Sequence, residues 1–430
     1  MIIIYCDHIT NRTRYTVKTI FNDILNINEV LLTNNIDEFE RSNFVKINYS
    51  RKNINKAFKI IPNGLLSENV INNKLNLEFL TIRNEIKAPF VTNDNDIEFD
   101  IFSAVFYIIS RYEEYTNDLK DKHNRYPAQE SVLFKYSLLN IPVINIWVEY
   151  LLSKLNSFYD IKIVNQSNFK ALFTLDIDIA YAFKHKTPIR NISSMAKKVF
   201  GFKFHSLKEQ LSVLNNNKPD PFDTYDYFLH KLNTNNVATI IFILLGNFSA
   251  HNINLSYKNK AFRNLIKKLA SKHKLGIHPS YNTSDNFELL KEEINRLRNI
   301  ISEEIYVSRQ HYLKFNIPKT YQNIIHAGIK EDYSMAYAGF PGFRSGTCSA
   351  FNWYDLENNK ETVLRIYPTS LMDGTLNEYM HLSIEDAIST IKKYKGCFIP
   401  LWHNNTLSEQ GIWYGWRKVF EAQIEECLKN

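Results

Sequence analysis

From residue 171 onward the chain repeats one pattern, and that pattern limits its fold more than any other feature. Short apolar runs of strand length occur at 171–176, 238–245 (ATIIFILL), 274–278 (KLGIH), 304–308 (EIYVS), 324–327 (IIHA), 363–367 (VLRIY) and 396–401 (GCFIPL). Stretches with apolar residues at helical spacing fill several gaps, at 223–233, 257–272, 284–302, 383–394 and 408–428. Asp223, Ser284, Ser383 and Ser408 stand where helix N-caps belong. About seven strands alternating with helices over roughly 260 residues predict a parallel α/β architecture, and that length suits a (β/α) barrel, complete or incomplete.

Residues 1–165 are less regular. Residues 2–6 and 14–17 read as short strands, with a helical pattern from Ile20. The region from Asn34 to Asn95 mixes apolar runs with Asn-rich turns and gives no order of elements. Residues 101–112 (IFSAVFYIISRY) read as a buried helix, with Arg111, Glu113 and Glu114 at its end and a polar loop over 117–127. Residues 142–155 have helical spacing and open on a proline, which suits a first turn. A chain of 430 residues exceeds one ordinary core. The polar stretch Asn165–Asn168 marks the expected boundary: a smaller α/β N-terminal domain over 1–165 and the barrel over 166–430.

Composition narrows the partners. The 44% hydrophobic and 23% charged content is that of a globular protein. A net charge of +7 is modest for the length, and the reading finds no basic block interleaved with aromatics, so nucleic acid is not expected. Four cysteines lie far apart with no CxxC and read as free thiols. MIIIYCDH lacks the basic start and cleavage site of a secretory signal, and the longest apolar run falls far short of the roughly 20 residues of a membrane helix. The expectation is a cytoplasmic protein without a transmembrane segment. Nothing in the sequence sets its oligomeric state.

Chemistry-bearing residues gather where the strand-like runs end. ALFTLDID closes on Asp176 and Asp178, two carboxylates that must be paired, solvated or bound to a cation. GIHPS delivers His278, SRQHY delivers Arg309 and His311, and PLWHNN delivers His403. Asp332 and Arg344 follow in a loop region rich in glycine and aromatics, a candidate substrate wall. In a barrel these ends share the face that carries the chemistry. Together they supply what metal-assisted hydrolysis of an amide or ester needs: hard or borderline ligands, a carboxylate to take a proton, an imidazole to give one, and an Arg to keep a carboxylate ionised.

In that order the residues resemble the polysaccharide deacetylases (carbohydrate esterase family 4-like), across 171–404. TLDID is similar to the family's first motif, which implies Asp176 as general base and Asp178 as metal ligand. GIHPSYN is similar to the second, where two histidines four residues apart bind the metal. RQHY is similar to the third, whose Arg orients the base, and LWH to the fifth, whose His is the general acid. The whole chain, with ISRYEEY and RYPAQES, resembles long two-domain members from Bacteroidetes-type bacteria. The resemblance implies a distorted (β/α) barrel.

The chain departs from the family twice. The position four after His278 is Asn282, a neutral and weaker ligand. His311 stands where the family has proline, and it is a compensating imidazole or a substrate contact. The implied reaction removes an N-acetyl group from an amino sugar, a glycan or a saccharide-linked intermediate. The implied ligands are Asp178, His278 and Asn282 around a divalent metal, zinc first, with cobalt, nickel or manganese as alternatives. Asp176 would take the water's proton with Arg309 fixing its charge, and His403 would protonate the amine. Tyr312, Trp402 and Phe343 are candidate sugar-stacking surfaces, and a backbone N–H near Tyr312 a candidate oxyanion donor. Two rivals stand beside this reading. One is a glycan-binding or scaffolding barrel that has lost tight metal binding. The other is a haloacid-dehalogenase-like phosphotransferase, which would leave His278, Arg309 and His403 without a role.

Overall fold

The computed structural model describes residues 1–82, 85–93, 95–379 and 383–429. Two parallel sheets account for most of its strands. The first holds β1 (Ile2–Cys6), β2 (Val30–Thr33), β3 (Val45–Tyr49) and β4 (Phe58–Lys59) in the order β2-β1-β3-β4. A small antiparallel pair follows, β5 (Phe79–Thr81) with β6 (Lys87–Pro89). Residues 14–17, expected as a strand, lie in the helix Asn11–Lys18, whose Thr10 side chain caps it by accepting from the Thr13 N–H. The β-branched run there is too short to outweigh a good cap and buried Arg12, Tyr15 and Thr16 at helical spacing.

The second sheet has ten strands: β7 (Lys170–Ile177), β8 (Ala238–Ile243), β9 (Lys274–Ile277), β10 (Val307–Ser308), β11 (Glu331–Asp332), β12 (Phe351–Asp355), β13 (Lys360–Ile366), β14 (Leu371–Met372), β15 (Cys397–Phe398) and β16 (Pro400–His403). Their order is β12-β13-β11-β10-β9-β8-β7-β16-β14, with β15 also on β7. All pairs are parallel except the β12/β13 hairpin. The expected α/β class with a large, mainly parallel sheet is therefore present. Among the described residues no ladder joins β12 to β14, so the path is open and not a closed seven-stranded barrel.

Within the second sheet three strands escaped the sequence reading: β11 and β14, each two residues long, and β12 of the hairpin. The IIHA run is the end of the helix Lys319–His326 and not a strand, with Tyr321 and Ile324 buried three residues apart. Helices Pro188–Phe200 and Phe204–Leu214 were also unforeseen.

Alternation along the central strands builds two faces. Phe173, Leu175 and Ile177 of β7 join the main core, with Phe173 edge-on to Phe398 and Phe420. Each such burial is worth about 1.5–3 kcal/mol. The intervening Thr174 and Asp176 face the opposite side, where Ile240, Phe242, Val307, Tyr333 and Ile399 form a smaller cluster. Gly276 is required in β9 because a Cβ there would meet the Phe242 ring at 2.7 Å. The sheet also packs on the N-terminal residues: Tyr15 donates to the Asn352 carbonyl at 2.8 Å and its ring lies 4.8 Å from Tyr354.

Candidate active site

Parallel pairing sets the ends of β7, β9, β10 and β16 along one edge. Asp176 is opposite His403, and Ile277, just before His278, is opposite Ser308, just before Arg309. The four sequence-predicted ends therefore converge, and a cavity of about 410 Å³ opens between them.

Asp176 is buried and bound to a buried arginine: Arg309 Nη1 donates to its Oδ1 at 2.9 Å. The same guanidinium reaches Thr174 Oγ1 at 2.7 Å and the Tyr333 carbonyl at 3.0 Å, and lies 4.5 Å from the Phe242 ring. Asp176 is thus fixed on one oxygen, while Oδ2 stands 3.6 Å from His278 Nε2.

Asp178 is the hub. His278 Nε2 lies 3.1 Å from its Oδ1, His311 Nε2 3.4 Å from its Oδ2, and His403 Nε2 3.6 Å from Oδ2. His278 Nδ1 sits 2.6 Å from the Arg309 carbonyl, which requires an N–H there and leaves Nε2 of the neutral ring with a lone pair. Asp178 Oδ1 is buried and has no hydrogen-bond partner among the described residues. A carboxylate oxygen facing an imidazole lone pair is costly unless a cation or a second ring proton separates them. Asp178, His278 and His311 offer ligand atoms that all lie within 4.8 Å of one another, so the donor set fits a divalent cation.

Protonation directions agree with an excess of negative charge here. Burial acts to raise the Asp178 carboxyl, but His311 and His278 outweigh it and hold it well below the usual range. Burial opposes charge on His278, yet Asp176 and Asp178 raise it. For His403 burial is again outweighed, chiefly by Asp373, and the ring is pushed up to about 10.

Asp373 was missed by the sequence reading. Its Oδ1 lies 2.8 Å from His403 Nδ1, and its Oδ2 accepts from the His403 backbone N–H at 2.7 Å and from Thr406 Oγ1 at 2.6 Å. The signal was an apolar pair followed by an acid, Leu371-Met372-Asp373, too short to read as a strand. Trp413 and Arg125 also line the cavity and were not singled out. Arg125 comes from the 117–127 loop and donates to the Tyr312 carbonyl at 2.7 Å.

The remaining candidates divide. Tyr312 lines the cavity at its rim, 38% exposed, and His311 lies in the metal-ligating group. Asn282 sits on an exposed turn and does not line the cavity; His311, arriving from β10, stands beside Asp178 instead. Trp402 is fully buried, donates from Nε1 to Gln423 Oε1 at 3.0 Å and packs on Trp416 and Phe420, so it is no stacking surface. Phe343 is core as well.

Asp332 is buried away from the cavity, accepting from Ser308 and Ser334 hydroxyls. Arg344 is buried against Glu114, with Nη2 to Oε2 at 2.6 Å, and is no substrate wall. Both were mistaken because a charge after a strand reads alike whether it faces a cavity or a distant partner.

Comparison with known proteins adds little function. A model described as a family of unknown function (DUF7033) matches residues 2–160. No curated protein matches the chain. Solved structures that do match include a protein of Mycobacterium smegmatis assigned to the polysaccharide deacetylases, at 13% identity and a TM-score of 0.39, covering 63% of this chain and 87% of that one. A polysaccharide deacetylase from Bacillus cereus matches at 13% identity and 0.26, covering 61% and 86%. A mutant CE4 family pseudoenzyme with restored enzymatic activity matches at 10% identity and 0.29, covering 60% and 62%. Among the described residues no helix is long and apolar enough to cross a membrane.

Proposed function

We propose that this cavity removes an N-acetyl group from an amino sugar or glycan by metal-assisted hydrolysis, within a unit spanning 166–430. The observation that carries the reading is the partnerless, buried Asp178 Oδ1 facing an imidazole nitrogen inside a group of three ligand residues. Asp178, His278 and His311 would hold the cation, and two imidazoles with one carboxylate favour zinc, with cobalt, nickel or manganese as alternatives. Bound there, such an ion supplies polarisation of an acyl carbonyl and acidification of a water.

The chain's own groups do the rest. Arg309 fixes one oxygen of Asp176 by donating to it and leaves the other to take a proton from water. Asp373 accepts from His403 Nδ1–H, so His403 presents Nε2 towards Asp178 with a proton to give to the departing amine. Tyr312 and Trp413 offer ring faces for a saccharide at the rim. The test is acetate release from a panel of N-acetylated saccharides with each divalent ion in turn. Release by the wild type and none by Asp176→Asn supports the reading. A chain that takes up metal yet binds the saccharides without releasing acetate overturns it in favour of a glycan-binding protein.

A further inference from the structure

The helix Pro188–Phe200 is unlike every other long helix in the chain, since none of its residues is buried. Its apolar residues nevertheless keep helical spacing: Ile189, Ile192, Ala196, Val199 and Phe200 share one face. Ile189 is 76% exposed, Ile192 65% and Phe200 83%. The turn into the helix Phe204–Leu214 adds Phe202, 81% exposed, and Phe204. An apolar stripe of this kind normally marks a buried contact, and here none of the described residues covers it.

Charge says what does. Residues 184–208 carry six lysines and Arg190 with no Asp or Glu, equal to the +7 of the whole chain. Lys197, Lys203 and Lys208 are exposed beside the phenylalanines, so KKVFGFKF is the basic block with aromatics that the sequence reading passed over. Aliphatic residues on the same face argue for lipid over nucleic acid, which would want stacking rings in a groove.

The patch also reaches the cavity. Arg190 donates to the carbonyls of Ile253 at 2.6 Å and Asn254 at 3.1 Å, and its guanidinium lies 4.6 Å from the exposed Phe248 ring. Ile253 lines the cavity. From the second helix Glu209 accepts from Gln410, just before exposed Ile412 and Tyr414, with cavity-lining Trp413 between them.

We propose that the helical hairpin 188–214 docks the chain on an anionic lipid surface, with its phenylalanines in the acyl boundary, its lysines at the headgroups and the cavity mouth turned to the interface. A helix of 13 residues lies in such an interface and does not span it. If the cavity acts as proposed above, this placement favours a lipid-borne saccharide; the docking itself does not rest on that reading or on any metal.

Sedimentation of the full chain with phosphatidylcholine vesicles, with and without phosphatidylglycerol, tests it. The wild type should bind the anionic vesicles about tenfold or more tightly than the neutral ones. Two variants, Phe200→Ser/Phe202→Ser/Phe204→Ser and Lys197→Glu/Lys203→Glu/Lys208→Glu, should each lose about tenfold or more on anionic vesicles. Both change only exposed side chains, and an unaltered circular dichroism melt excludes unfolding. No binding by the wild type overturns the proposal, as does binding that the phenylalanine variant leaves unchanged, which is a polyanion contact only. A lipid-free dimer dissolved by the same variants, without vesicle binding, assigns the face to a second copy instead.

Discussion

Two buried clusters of charge in this chain use similar ingredients and do different things. At the junction with the N-terminal residues, Arg111, Glu113, Glu114 and Arg344 form a closed set. Arg111 donates to Glu114 at 2.8 Å and to Glu113 at 2.7 Å, and Arg344 donates to both Glu114 oxygens at 3.0 and 2.6 Å. The rest of the set is absorbed by the Arg344 and Ala336 carbonyls, Tyr337 and Ser131. At the strand ends Asp176, Asp178, His278, His311 and His403 are left open: Asp178 Oδ1 has no hydrogen-bond partner among the described residues, three imidazoles converge on the two oxygens of that carboxylate, and a cavity admits a ligand. Burial of charge alone therefore does not mark a functional site; an open carboxylate among imidazoles beside a cavity is what carries the proposed one.

Substitutions should separate the two clusters by what they damage. The largest effect is expected from Asp176→Asn, which should cut kcat per folded molecule by about 10³-fold with metal content kept, beside a stability loss of about 3 kcal/mol because buried Arg309 loses its counter-charge. Activity per folded molecule that stays near wild type would make Asp176 another structural charge. In the closed cluster Glu114→Gln should cost about 3 kcal/mol in urea denaturation, because buried Arg344 loses its counter-charge and Arg111 one of its two, with activity per folded molecule kept.

That cost should depend on pH. Arg344 and Arg111 outweigh burial and hold the Glu114 carboxyl down to about 2, below its unfolded value of about 4.3. Its stabilisation is therefore complete above about 4.3 and disappears as pH falls through about 2, so wild type and Glu114→Gln should converge in acid.

Asp373→Asn should lower kcat by about 10²-fold. Asp373 is the main group raising His403, so its removal should also move the alkaline limb of the pH–rate profile to lower pH. An unmoved limb would separate His403 from proton donation. The smallest effect belongs to the rim: Trp413→Ala should raise KM by about threefold at unchanged kcat, and Trp402→Ala should instead destabilise by about 3 kcal/mol or more as a core truncation.

How much of this was legible in the sequence follows from the same contrast. Asp176, His278, Arg309 and His403 end strands long or apolar enough to read, so their convergence could be argued from parallel topology. Trp402 was misread although β16 itself held the answer: residues alternate along a strand, so if His403 faces the cavity then Leu401 does too and Trp402 faces the core. Asn282 came from the resemblance, whose second motif implies two ligands four residues apart, whereas the second imidazole arrives from another strand. Arg344 and Glu114 lie far apart in the chain, and no local pattern announces their pairing. Asp373 follows a two-residue strand, below the length at which alternation carries a signal.

The most direct test of the central claim is metal content of the purified chain, measured beside Asp178→Ala, His311→Ala and Asn282→Ala. The arrangement predicts near one divalent ion per wild-type chain, lost in Asp178→Ala and His311→Ala and kept in Asn282→Ala. A wild type that stays empty after incubation with zinc, cobalt, nickel and manganese, or metal retained without Asp178, would contradict it.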